Sequence, residues 1–252
     1  MVLSLVFSGY GLLRINLHLG TAYDLGIFDQ AVWRYAHFQA PFITLKGDGY
    51  TIWADHFHPV IALWAPLYWI WDSFRVLVMG QAIVVASAAF PVWRFVSRRW
   101  STSGWAKGFV FYALLSWPIV NLINFDVHEV AFAVPLLAWV VDSLDRRAVR
   151  PLLVSCALLL LVREDMGVLV FVAGVIWLVW PLRRRRSQLD WLIGAGLALS
   201  GLVAFVLITT VVIPHFATSG YQYWDYPILG DSPGSAVRTL VTRPWTVISQ
   251  LF

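Results

Sequence analysis

The sequence predicts an all-α fold, a polytopic bundle of transmembrane helices, on three observations. The 252 residues are 60% hydrophobic and only 13% charged, a balance that would leave a soluble domain with too much apolar surface. The apolar residues fall in runs that approach the length of the bilayer core, about 20 residues. The charged residues are confined to gaps between those runs, and acidic and basic gaps alternate along the chain.

Taken in order, the first span covers residues 1–19, with Arg14 reaching toward the headgroups. A polar and aromatic loop, 20–74, follows. Within it His58 to Trp71 is apolar but too short for a full crossing and is interrupted by Pro59 and Pro66, so it reads as an interfacial or re-entrant helix. Six further spans are expected over 75–213, at 75–96, 105–123, 130–144, 150–162, 167–182 and 190–213, which makes about seven in all. Residues 214–252 form a polar, aromatic tail containing Tyr221-Gln222-Tyr223-Trp224-Asp225-Tyr226. The whole is a single membrane domain without tandem repeats, and a tail with no closing span makes a partial chain the expectation. The N-terminal run has no basic segment or small-residue cleavage site of a signal peptide. The one cysteine, Cys156, sits in an apolar run and provides no disulfide framework.

Sidedness follows from the basic residues. Arg94, Arg98, Arg99, Lys107, Arg146, Arg147, Arg150 and Arg183 to Arg186 are 11 of the 18 basic residues, and they fall in short loops of one side, which the positive-inside rule makes cytoplasmic. The net charge of +4 is therefore an orientation signal, and no nucleic-acid partner is expected. Eleven of the 14 acidic residues and all six histidines then lie outside. Because the loops at 146–150 and 183–186 share a side, residues 151–182 must go out and return. The first half has about 12 apolar residues, roughly 18 Å of helix against a core of about 30 Å. The turn Arg163-Glu164-Asp165 is expected to sit below the outer surface, inside the protein, because charge at membrane depth is expensive.

Four outer clusters carry candidate chemistry. Asp24 and Asp29 are five residues apart, about 140° around a helix, so one faces a site while the other caps or positions the helix. Asp55-His56-Phe57-His58-Pro59 brings two imidazoles and a carboxylate within four residues. Such a trio serves as a general base, as a Zn²⁺ or Mn²⁺ site formed by Asp55, His56 and His58, or as an interfacial turn with Pro59 opening a helix. Asp126 and Glu129 share a helix face and also match a capping box. Arg163 has the fork to grip a phosphate, or forms an internal ion pair with Glu164 or Asp165.

The run Tyr23-Asp24-Leu25-Gly26-Ile27-Phe28-Asp29-Gln30-Ala31-Val32-Trp33, together with Asp55-His56-Phe57-His58-Pro59 and Ala65-Pro66-Leu67-Tyr68, resembles a bacterial membrane family, domain of unknown function 2079. That family is in turn similar to the GT-C-type glycosyltransferases. The resemblance implies a GT-C-like fold in the bacterial inner (plasma) membrane, surrounded by membrane lipid, with a site on the extracytoplasmic face. It implies transfer of a sugar from a polyprenyl-phosphate-linked donor. Asp24 or Asp29 would match the acid of the first outer loop, and Asp126 or Glu129 a second acidic site. The first loop departs from the pattern in having no adjacent acidic pair. Asp29 is the preferred base, since Asp24 has the better capping alternative, with His56, Asp126 and Glu129 beside it. Arg163, Arg75 and Lys46 would stabilise the leaving phosphate, with Glu164 and Asp165 lining the substrate site. The competing expectations are a transporter or flippase, and a non-catalytic membrane scaffold.

Overall fold

Helices form along each of the apolar runs, and their ends fall where proline, glycine or charge interrupts them. The computed structural model describes residues 2–20, 23–100, 104–180, 187–217, 223, 227–230, 233–245 and 249. In chain order the helices are α1 (Val2–Asn16), α2 (Tyr23–Ala36), α3 (Ala65–Ile70), α4 (Arg75–Ser87), α5 (Ala89–Trp100), α6 (Gly104–Leu114), α7 (Trp117–Asn124), α8 (Ala133–Arg146), α9 (Val149–Leu159), α10 (Met166–Val179), α11 (Gln188–Leu207), α12 (Ile213–Phe216) and α13 (Pro233–Thr242). Short 3₁₀ turns at Pro59–Trp64 and Glu129–Phe132 lead into α3 and α8. A π-helical turn, Ile208–Val212, joins α11 to α12. The described residues contain no strand, only one isolated bridge between Phe42 and Thr51.

Among the described residues two continuous helices are long and apolar enough to cross a membrane, Arg75–Trp100 and Gln188–Phe216. The other apolar helices are shorter. The run expected at 105–123 is split into α6 and α7, because Ser116 is extended and Pro118 sits in the first turn of the new helix. The apolar stretch after His58 also starts as expected, with Pro59 in the first turn. The loop 20–74 holds more regular structure than an interfacial segment alone, since α2 buries Leu25, Ile27, Phe28, Ala31 and Val32 against it.

One buried cluster runs through α2, the 59–70 helices, α4, α8, α9, α10 and α11. The closest pairing is the α10–α11 hairpin, where glycines face each other. A β-carbon on Gly174 would lie 2.4 Å from the Ala198 amide nitrogen, and one on Gly201 would lie 2.4 Å from the Gly167 carbonyl oxygen. Only hydrogen fits between these backbones.

Charged groups gather at the two ends of the helices. At one end Asp142, fully buried, meets Arg98 at 2.6 Å and Arg146 at 2.9 Å, while Asp145 pairs with Arg98 and Arg99. Arg147, at φ 54°, lies over the Trp177 ring and donates to the carbonyls of Trp177 and Trp180 at 2.6 and 2.9 Å. Ser187 and Asp190 form a capping box that opens α11. The ends of α5, α8 and α10 and the start of α11 therefore converge. Arg183 to Arg186, expected on this side, lie outside the described residues. The opposite end holds the first loop, the 125–132 segment and the 161–165 turn.

The glycine hairpin yields a direct test. Gly174→Ala forces a methyl group onto backbone and is expected to cost about 1–3 kcal/mol, read as a fall in thermal midpoint in detergent. Gly196 has nothing within 4 Å of its β-carbon position, so Gly196→Ala is expected to leave the midpoint unchanged or higher.

Candidate functional site

The site begins with a carboxylate on a short turn. Because α9 stops at Leu159, Glu164 is carried into the protein rather than out to the surface, and it is 1% exposed. It accepts a hydrogen bond from His56 Nδ1 at 2.7 Å and from the Phe57 amide at 3.2 Å. The Val60 amide also donates to the Leu161 carbonyl at 3.0 Å. The loop around residues 55–60 is thus fastened to the turn between α9 and α10.

Glu129, fully buried, lies 2.8 Å from His128 Nδ1 and 3.4 Å from an Arg163 guanidinium nitrogen. Arg163 in turn makes a two-pronged pair with Asp165, at 2.9 and 2.5 Å. His58 is 1% exposed. Its ring lies 5.6 Å from that of Phe28 and 6.3 Å from that of His56, and its Nδ1 has no hydrogen-bond partner. Phe28 also meets the His128 ring at 5.8 Å, so one α2 side chain separates two imidazoles. Asp55 pairs with Lys46 at 2.5 Å and accepts from the Tyr223 hydroxyl. The Tyr223 ring stacks on His56 at 4.1 Å.

Burial opposes charge throughout this cluster, and the partners decide the outcome. Burial disfavours the His56 imidazolium, but the hydrogen bond and charge of Glu164 overcome it and raise the pKa. His58 is lowered because burial dominates. Burial would raise Glu129, yet the His128 contact and the charges of His58, His128 and Arg163 bring it down to about 2. Asp24 is raised by burial, and it feels His128, Asp126, Lys46 and Asp55 in turn. Among the described residues its carboxylate has no hydrogen-bond partner.

The α2 helix turns Asp24 and Asp29 to different surroundings. Asp24 shares the field of the cluster. Asp29 accepts from the Tyr68 hydroxyl at 2.5 Å and lines a separate groove of about 580 Å³ with Asn16, His18, Phe74, Arg75 and Asp126. Burial raises the Asp29 pKa, and Tyr68 and Asp72 are the other groups acting on it.

The structure therefore brings Asp24, Lys46, Asp55, His56, His58, Glu129, Arg163, Glu164 and Asp165 to one end, and sets Asp29 and Arg75 apart. Asp29, preferred as base from the sequence, accepts from Tyr68 with one carboxylate oxygen, while Asp24 stands in the field of His128. Asp55, His56 and His58 do not form a ligand set; among the described residues no three histidine, cysteine or acidic side chains are grouped to hold a metal ion, and Asp55 and His56 are each engaged elsewhere. Arg163 and Lys46 each pair with a carboxylate, whereas among the described residues the Arg75 guanidinium hydrogen-bonds only to the Asn16 side-chain oxygen, at 3.4 Å. Asp126 and Glu129 make no capping box. His128 stands at the N-cap without a side-chain bond, and its amide donates to Gln81 at 2.8 Å. Tyr68, Gln81 and Tyr223 were not anticipated as partners, although Tyr68 lies in the Ala65-Pro66-Leu67-Tyr68 run and Tyr223 in the aromatic tail motif; Gln81 had no signal.

The family model described as Predicted membrane protein (DUF2079) matches residues 15–252. The chain belongs to this family and is a membrane protein. No curated protein and no solved structure matches it.

The histidines predict a stability optimum near neutral pH. The contribution of His56, raised in the folded state, is complete below its ordinary value of 6.5 and is lost as pH rises through the folded value. That of His58, lowered, is complete above 6.5 and is lost as pH falls through the folded value. Thermal unfolding of the wild type in detergent should weaken on both sides. His56→Gln should lose the alkaline limb and keep the acid one. An alkaline limb that persists in His56→Gln contradicts this assignment.

Proposed function

We propose that this DUF2079 membrane protein is a glycosyltransferase of the outer membrane face, moving a sugar from a polyprenyl phosphate to an acceptor hydroxyl. The reading rests on Asp24: a half-buried carboxylate without a hydrogen-bond partner among the described residues, raised in pKa and standing in the field of His128, Asp126, Lys46 and Asp55. A general base needs a free lone pair and a pKa drawn toward neutrality. Asp24 takes the proton of the acceptor hydroxyl. The oxygen attacks the anomeric carbon, the bond from that carbon to the phosphate oxygen breaks, and polyprenyl phosphate leaves with the electron pair. The proton then passes from Asp24 to solvent. The Lys46–Asp55 pair flanks the site as a donor and acceptor for sugar hydroxyls. A surface reaction is favoured over a transport path by the helices themselves. No charged residue lies between Arg75 and Arg94, between Glu129 and Asp142, or between Asp190 and His215, so no titratable chain leads from this end toward the other.

In the same reading the bundle has about seven crossings, with short helices tilted or sunk, and the arginine end faces the cytoplasm. Asp48→Cys should react with an impermeant maleimide in intact cells, and Lys107→Cys only after permeabilisation. The reverse pattern overturns the orientation.

Asp24→Asn keeps the shape and removes the base. With a polyprenyl-phosphate sugar donor and the full protein in membranes, kcat is expected to fall by about 10²–10⁴-fold with KM little changed. Wild-type turnover in Asp24→Asn overturns the mechanism.

A further inference from the structure

The groove of about 580 Å³ beside α2 lies apart from the cluster that carries the proposed chemistry. Its walls come from three elements: Ile15 and Asn16 at the end of α1, Leu25, Gly26 and Asp29 on α2, and Phe74 and Arg75 where α4 begins. The Arg75 guanidinium has one hydrogen bond, a long one of 3.4 Å to Asn16 Oδ1, and lies 5.0 Å from the Phe74 ring centre. Among the described residues no carboxylate reaches it within salt-bridge distance. Asp29 gives one carboxylate oxygen to Tyr68, and its other oxygen has no partner among the described residues. The same groove thus holds a guanidinium without a counter-ion and a carboxylate with an open acceptor, too far apart to satisfy each other. Asp126 also forms part of the wall, and it lines a small adjoining cavity together with Arg14.

We propose that this groove binds the headgroup of a membrane lipid in which a phosphodiester lies next to free hydroxyls, with Arg75 holding the phosphate and Asp29 accepting from a hydroxyl. A guanidinium fork matches two phosphate oxygens. A carboxylate oxygen is a strong acceptor for a hydroxyl. A lone anion would satisfy Arg75 and leave Asp29 repelled and unfilled, while a ligand carrying both groups satisfies both. The lipid source follows from position. Arg75 is the first residue of the Arg75–Trp100 helix, so the apolar run begins immediately beneath the phosphate site, and Ile15, Leu25 and Phe74 supply apolar wall. A polyprenyl phosphosugar has this headgroup chemistry. To that extent the site deepens the proposed function, although binding here does not require transfer at Asp24.

The test uses the full protein in detergent and counts retained lipid by native mass spectrometry, with phosphatidylglycerol as the probe and phosphatidylcholine, which lacks headgroup hydroxyls, as the comparison. Wild type is expected to retain phosphatidylglycerol in preference to phosphatidylcholine. Arg75→Gln should weaken retention by about tenfold, the equivalent of one charge-assisted contact, and Asp29→Asn by about threefold. Arg75→Lys, which keeps the charge and loses the fork, should fall between wild type and Arg75→Gln. Lys107→Gln, an exposed charge at the other end of the helices, should match wild type. Equal retention in Arg75→Gln and wild type, or no preference over phosphatidylcholine, overturns the site. Displacement of the lipid by equimolar glycerol phosphate overturns the lipid source. Because the readout is retention and not turnover, an inactive Asp24→Asn protein that still retains phosphatidylglycerol leaves this site standing, and an active protein that does not retain it sinks the site alone.

Discussion

Glu164 is a carboxylate taken almost wholly out of water, 1% exposed, on a turn that a short helix prevents from reaching the surface. Removing such a charge from water costs several kcal/mol, and the cost is recovered only if its lone pairs are filled in good geometry. His56 at 2.7 Å and the Phe57 amide at 3.2 Å fill them. Both belong to a loop more than 100 residues earlier, so satisfying this one charge dictates where residues 55–60 must lie. The rest of the site follows from that placement. His58 is carried inward against Phe28, and Asp55 is presented to Lys46 and Tyr223. The 3₁₀ turn that begins at Pro59 then leads α3 to the position where Tyr68 meets Asp29.

The frame that supports this end is apolar and close-packed, and it is held from the other end by a different set of charges. Asp142 and Asp145 tie α8 to α5 through Arg98, Arg99 and Arg146, and Arg147 fastens the end of α10. Between the two ends, α10 and α11 touch backbone to backbone through Gly167, Gly174, Gly194 and Gly201. The long apolar helices α10 and α11 carry no charge in their interiors, which suits a membrane setting, and the buried cluster around Glu164 and the groove around Arg75 lie toward the end of the molecule opposite Asp142.

The helical class and the burial of Glu164 on its short turn were legible because they depend on composition and on helix length alone, although Arg163 and Asp165 beside it stay partly exposed. The five-residue spacing of Asp24 and Asp29 also showed that they would face different ways. It did not show which would stand in the field of His128 and which would meet Tyr68, because both depend on contacts between distant segments. The expected trio of Asp55, His56 and His58 looked like a metal site because local spacing was all that could be seen. Its members are claimed by Lys46 and Glu164, and neither pairing leaves a local trace. The Asp126–Glu129 capping pattern was likewise overruled from a distance, by Gln81 on α4.

The claim that the Glu164 clasp organises this end is tested most directly by a double-mutant cycle on equilibrium unfolding in detergent, using His56→Gln, Glu164→Gln and the pair together. A charge-assisted bond in a buried setting predicts a coupling of about 1–3 kcal/mol, with the double variant less damaged than the sum of the single ones. Additive effects would contradict it, showing that His56 and Glu164 act independently and that something other than their contact places residues 55–60.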